Sequence, residues 1–289
     1  MFTSQDQVGS RPFEPHQLPR PTGEFHIQRQ FASRSLPDPR DVIVYLPPSY
    51  SRDPSRRYPV LYMHDGQNLF DGATSYIPGM DWGIGATAQE LIEAEEIEPL
   101  IVVGIYNAGL ARADEYTPTR DARVNAGGKA ASYARLLIEE LKPMIDTHYR
   151  TLSDRANTGV GGSSLGGLVT LYLGLRHHQT FGKLAVLSPS VWWDNRVIVR
   201  DVEALKTKLD LRIWLDMGTA EGEGALRGVR HLRDSLTGKG WVDGEDLRYY
   251  EAEGGKHNEE AWGRRMNRVL THLFPAKKKG RIDLPRRAT

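Results

Sequence analysis

Short apolar runs alternate with amphipathic stretches along most of the chain. Residues 41–46 (DVIVYL) and 58–63 (YPVLYM) are β-rich and end sharply, at Pro47-Pro48 and at His64-Asp65-Gly66. Residues 99–105 (PLIVVGI) form a near-continuous apolar run, the pattern of a strand buried on both faces. Residues 157–161, 183–187, 211–216 and 246–252 supply further strands. Helical patterns fall between them at 82–96, 131–148, 165–176 and 223–236. A last one, 257–274, places Ala261, Trp262, Met266, Val269, Leu270 and Leu273 on one stripe. Strand alternating with helix predicts an α/β fold, a central, mostly parallel sheet with helices on both faces. The close succession of the first two strands allows an antiparallel pair. Residues 1–23, rich in Pro, Gln and Arg, predict an extended arm before a single domain over 24–274. Residues 275–289 form a basic tail, and the polar stretch 107–129 predicts a surface loop.

Composition narrows the class. The 289 residues suffice for one α/β domain with a sizeable core. Basic and acidic residues number 38 and 37, a net charge of +1. The tail carries six basic residues against one acidic, so the domain is mildly acidic and no nucleic-acid face is expected. There is no cysteine, which excludes disulfides, a thiolate nucleophile and cysteine-ligated metal. The first residues lack the basic start and apolar core of a signal peptide. No apolar run approaches the ~18 residues of a membrane span. The expectation is a cytoplasmic protein with no membrane partner; a homo-oligomer stays open.

The candidate chemistry centres on TGVGGSSLGG, residues 158–167. The frame Gly-x-Ser-x-Gly is met by Gly162-Ser163-Ser164-Leu165-Gly166, with Ser164 central. A strand precedes it and an apolar helix follows, the context of a nucleophile elbow. Such a bend crowds the residues two before and two after the serine, where Gly162 and Gly166 carry no side chain. It also sets the serine at a helix N-terminus, which favours negative charge.

A serine hydroxyl needs a base. In the chain order serine, acid, histidine, the base lies late. His231 and His272 fall within predicted helices, whereas His257 follows a strand and Gly254-Gly255-Lys256. His257 is therefore the candidate base. The acid is expected just past strand 211–216. Glu221, flanked by Gly218 and Gly222, is preferred, with Asp216 as the alternative. An oxyanion hole would use the Leu165 N–H and a donor from the loop after 58–63, for which Gln67 N–H is chosen. His64 and Asp65 lack partners at ligand spacing, and His257-Asn-Glu-Glu is not His-Glu-x-x-His, so no metal is expected. Trp192 and Trp193 follow a strand at the same sheet edge and are candidates to stack on a sugar or aryl ring. Asn68, Tyr106 and Asn107 are further substrate-binding candidates, with Arg112, Glu115 and Tyr116 weaker ones.

Together these residues resemble the esterase D family of α/β-hydrolases, which includes enterochelin (siderophore) esterases, feruloyl and acetyl-xylan esterases, S-formylglutathione hydrolase and mycolyltransferases. The resemblance rests on VYLPPSY (44–50), YPVLYMHDGQN (58–68), EYTP (115–118), GSSLGG (162–167), residues 188–193 and GGKH (254–257), and spans about residues 23–274. It implies an α/β-hydrolase fold and a cofactor-free serine ester hydrolase acting on siderophore-type, sugar or aryl esters. It assigns Ser164, His257 and Glu221 as triad, the last standing in Gly218-Thr-Ala-Glu221 where the family has aspartate. The alternatives are acyl transfer to a sugar or lipid alcohol and a non-catalytic binding domain.

Overall fold

The computed structural model describes residues 14–16 and 23–277. The rest of the arm and tail lie outside the described residues. A nine-stranded sheet forms the centre, in the order β1-β2-β3-β5-β4-β8-β9-β10-β11. Its members are β1 (Glu14–His16), β2 (Glu24–Phe31), β3 (Arg40–Leu46), β4 (Val60–His64), β5 (Ile101–Ile105), β8 (Thr158–Ser163), β9 (Lys183–Leu187), β10 (Arg212–Gly218) and β11 (Leu247–Ala252). A separate two-residue hairpin, β6 (Arg120–Asp121) with β7 (Ala126–Gly127), lies within the 107–129 segment. The six strands from β5 to β11 run parallel, and β1, β2 and β3 add antiparallel pairings at one edge.

The helices are α1 (Ser49–Arg52), α2 (Ile84–Glu93), α3 (Arg112–Glu115), α4 (Ala130–Arg135), α5 (Lys142–His148), α6 (Leu165–Arg176), α7 (Trp193–Glu203), α8 (Glu223–Gly238), α9 (Glu259–Gly263) and α10 (Met266–Leu273). A π-helical turn, Leu136–Leu141, joins α4 to α5. Alternation along each strand splits the core in two. Val42, Val44, Tyr62, Val103, Leu184, Val186 and Ile213 face the helices α4 to α8. Ile43, Tyr45, Leu61, Val102, Ala185, Leu187 and Trp214 face α2, α9 and α10. The fold is thus the expected α/β arrangement with both faces covered.

Three features differ from the sequence reading. Strands β3 and β4 do run in opposite senses, but they are not neighbours, because β5 lies between them. Strand β2 was not expected. Its sequence EFHIQRQF is polar at Gln28, Arg29 and Gln30, and its pairing with β3 shifts register between Gln28 and Phe31. Helix α7 was hidden by a start that no propensity predicts, with Asp194, Asn195 and Arg196 all at positive φ. The segment 107–129 is anchored from below: Arg40 on β3 donates to both oxygens of Glu115 on α3, at 2.6 and 3.0 Å, and both side chains are buried. Bidentate geometry of this kind fixes orientation as well as charge.

Candidate active site

Strand β8 ends at Ser163 and α6 begins at Leu165, so the whole bend falls on Ser164. Its backbone sits at φ 59° and ψ −122°. A β-substituted residue there is strained by about 1–3 kcal/mol. The surroundings hold it. Ser164 N–H donates to Leu187 C=O at 3.1 Å, and Ser164 C=O accepts from the N–H groups of Ser190 (3.0 Å) and Leu168 (3.1 Å). The glycines act as the motif requires. A Cβ at Gly162 would lie 3.0 Å from His64 Cβ, and one at Gly166 would lie 3.3 Å from Asp65 Oδ2. Of the two adjacent serines, both line a cavity of about 320 Å³, but Ser163 is a buried strand residue and Ser164 alone sits on the bend. Ser164 Oγ lies 3.4 Å from Ser190 Oγ.

His64 is the floor under this bend. It is fully buried, with Nδ1 2.9 Å from Tyr133 Oη. Burial pushes its imidazole down to about 3. The folded protein therefore keeps His64 neutral where the unfolded chain, titrating near 6.5, is charged. Between those values the unfolded state binds the extra proton, so stability falls as pH falls below about 6.5. At about 1.4 kcal/mol per pH unit, His64 alone removes about 2–3 kcal/mol by pH 4.5. Urea unfolding at pH 7 and 4.5 measures this. His64→Gln should shrink the acid-induced loss by that amount; an unchanged loss would reject the assignment.

His257 sits in the loop between β11 and α9. Its Nδ1 lies 2.5 Å from Glu221 Oε2. The imidazole is half-exposed and rests edge-on against Trp262, with ring centroids 4.9 Å apart. Glu221 lies in a short 3₁₀ turn, Thr219–Glu221, directly after β10. Its other oxygen accepts from Ser188 Oγ (2.6 Å) and Gly218 N–H (2.8 Å). Burial would raise the Glu221 carboxyl, but the hydrogen bonds from His257, Ser188 and Gly218 bring it below the usual carboxylate range. It is thus held as an anion facing the imidazole.

Asp216, the alternative acid, points elsewhere. It is fully buried and accepts from Trp214 Nε1 (2.7 Å) and Ser188 N–H (3.1 Å), with Arg265 Nη1 3.1 Å away. Burial raises its carboxyl against the pull of Arg265. Glu221 and not Asp216 therefore meets His257.

The cavity brings together Ser164, His257, Gln67, Asn68 and Asn107 from the sequence-derived set. Leu165 opens α6 and Gln67 lies in a 3₁₀ turn, Gly66–Asn68, so both N–H groups sit in the first turn of a helix, where intrahelical acceptors are lacking. Asn107 N–H donates to Gln67 Oε1 (3.3 Å), and Asn107 Nδ2 donates to Asp65 Oδ1 (2.7 Å). Asn68 is tied by its oxygen to Tyr76 N–H (2.8 Å) and by its Nδ2 to Glu259 Oε1 (3.3 Å).

Five of the substrate-binding candidates lie outside the lining: Trp192, Trp193, Tyr106 and the weaker Glu115 and Tyr116, both buried. Trp193 is buried, with Nε1 donating to Thr119 C=O at 3.0 Å, and it packs beneath the 107–129 segment. Its size and apolar ring favour that core position over a solvent-facing one. Trp192 is half-exposed beside it. Tyr106 packs against the core face that holds α2. Conversely, several residues that order the site were not singled out for it. Ser188 donates to Glu221 while accepting from Trp262 Nε1 (3.0 Å) and Arg265 Nη2 (3.1 Å). Glu259 lines the cavity, although a glutamate in the first turn of a helix reads as an ordinary dipole-complementing residue. Arg112 binds both oxygens of Asp65 at 2.7 Å; the sequence marked it only as a weaker candidate.

A parallel sheet with antiparallel edge strands, carrying a serine on a left-handed strand-to-helix bend, defines an α/β-hydrolase. Residues 33–273 match the family described as "Putative esterase", and the chain belongs to that family. It is accordingly a carboxylic-ester hydrolase. The chain is 25% identical over 247 residues to "Uncharacterized protein YbbA" of Bacillus subtilis, covering 81% of this chain and 92% of that one. It is 29% identical over 254 residues to an endo-1,4-beta-xylanase/feruloyl esterase of Xylanibacter ruminicola, covering 86% of this chain and 31% of the larger protein. The solved structure of the Shigella flexneri enterobactin esterase in the presence of enterobactin superposes with a TM-score of 0.70 at 21% identity, covering 92% of this chain and 60% of that one.

Proposed function

We propose that this chain hydrolyses carboxylic esters through Ser164, His257 and Glu221. The observation that carries the reading is the 2.5 Å contact between His257 Nδ1 and Glu221 Oε2, made at a cavity that Ser164 also lines. With Nδ1 committed to Glu221, Nε2 is the atom free to work as base. Rotation about the Ser164 Cα–Cβ bond moves Oγ between staggered positions, from Ser190 toward the imidazole. Oγ attacks the ester carbonyl as its proton passes to Nε2. The carbonyl oxygen becomes an oxyanion, held by the N–H groups of Leu165 and Gln67 at the start of two helical turns. Collapse breaks the ester bond, and Nε2 returns the proton to the leaving alcohol. Water, deprotonated by the same nitrogen, then cleaves the acyl–Ser164 ester and restores the hydroxyl. Glu221 stabilises the imidazolium in both halves.

The relatives support esters of aryl acids or of siderophores as the substrate class. The cavity of about 320 Å³ matches an ester with one compact half in it. A fluorophosphonate probe tests the nucleophile without a choice of substrate. Peptide mass analysis should find a single adduct on Ser164, lost in Ser164→Ala. Labelling elsewhere, or none in the folded protein, would refute the assignment.

A further inference from the structure

Three charged side chains other than the proposed triad line this cavity: Asp65, Arg112 and Glu259. Asp65 and Arg112 satisfy each other through two 2.7 Å hydrogen bonds. Asn107 Nδ2 adds a third donor to Asp65. No cationic charge is left over from that pair. Glu259 is treated differently. The residue is 4% exposed, yet among the described residues no cation pairs with it. Its Oε1 accepts a 3.3 Å bond from Asn68 Nδ2, and its Oε2 is buried with no hydrogen-bond partner. An unpaired buried carboxyl oxygen costs free energy unless something supplies a partner.

We propose that Glu259 is a substrate-binding residue that selects esters bearing a cationic, ammonium-type group on the half seated in the cavity. The inference rests on the ester-hydrolase reading for what the cavity holds, but not on which residue attacks. The cavity offers an incoming cation one acidic side chain that, among the described residues, makes no ion-pair contact. It offers an incoming carboxylate none of the complementary charge, because Arg112 is already engaged. Burial raises the Glu259 carboxyl above its usual range, with the neighbouring Asp65 adding to the effect and its own backbone N–H, His257 and Arg112 opposing it. A bound ammonium group reverses that balance and stabilises the ionised form.

Choline and 3,3-dimethylbutan-1-ol have the same shape and differ in charge, so the pair isolates the electrostatic contribution. Their binding to the full-length protein is measured by calorimetry, or as competition against hydrolysis of p-nitrophenyl acetate. Wild type should prefer choline about ten-fold, which corresponds to about 1.4 kcal/mol. In Glu259→Gln the preference should fall to about one, and in Glu259→Asp part of it should return. Equal binding of the two alcohols by wild type, binding of neither, or a preference unchanged in Glu259→Gln overturns the proposal. Because binding needs no turnover, a protein that prefers choline but hydrolyses no ester would sink the catalytic reading and leave this one standing. Far-ultraviolet dichroism of each variant separates loss of the fold from loss of selectivity.

Discussion

Replacing Ser164 with alanine is expected to lower kcat on p-nitrophenyl acetate by about 10⁵–10⁶-fold, and His257→Ala by about as much. The reason is that the two groups form one device. Without the hydroxyl there is no atom to acylate. Without Nε2 the hydroxyl keeps its proton, and the leaving alcohol receives none. The double variant should therefore be no slower than either single variant, which is the signature of residues acting as a unit. Glu221→Gln should fall less, by about 10³–10⁴-fold. The amide can still approach Nδ1, but it no longer offers an anion to the imidazolium, and it can present the wrong hydrogen-bonding edge to the ring. Each variant is compared at saturating substrate with its melting temperature checked. A Ser164→Ala protein within ten-fold of wild type would eliminate Ser164 as nucleophile.

Why the serine was legible and its support was not follows from the range of the signals. GSSLGG is a local constraint. Clashes between neighbours in sequence fix which positions must lack a Cβ, so Gly162, Ser164 and Gly166 announce the bend by themselves. Glu221 and His257 were legible at one remove, because each follows a strand whose pattern is clear and the parallel sheet brings all strand ends to one edge. The pairing of Ser188 with Glu221, of Arg265 with Asp216 and of Asp65 with Arg112 has no such local trace. Those contacts join residues 33, 49 and 47 positions apart. They depend on which strand ends are neighbours, and the sheet order is set by long-range packing. Trp193 illustrates the same limit from the other side. Its place after β9 was right for a cavity wall, but the turn at residues 194–196 swings the indole under Thr119. Strand β2 escaped because its bulge at Gln28 to Phe31 breaks the period of two.

Arg265 carries the second large effect, on stability. Its side chain and that of Asp216 are almost wholly buried. The guanidinium also donates to Ser188 Oγ and lies 4.0 Å from Glu221 Oε1, so one cation sits beneath two carboxylates. Removing one member of a buried pair leaves the other charged and unsolvated, at a cost of about 3–5 kcal/mol. Arg265→Met should therefore destabilise the protein by that amount in urea unfolding at pH 8. The sign of the pH dependence distinguishes this cause from lost packing. Burial already raises the Asp216 carboxyl, and without Arg265 it rises further. The folded variant then binds a proton that the unfolded chain, titrating near 3.9, does not hold until lower pH. Its stability relative to wild type must improve as pH falls from 8 toward 5. A packing defect would leave the difference constant. Neutralising the stranded partner makes the same point at fixed pH: Asp216→Asn in the Arg265→Met background should recover much of the loss, whereas a further loss would show that the pair's charges were not what held this floor of the site together.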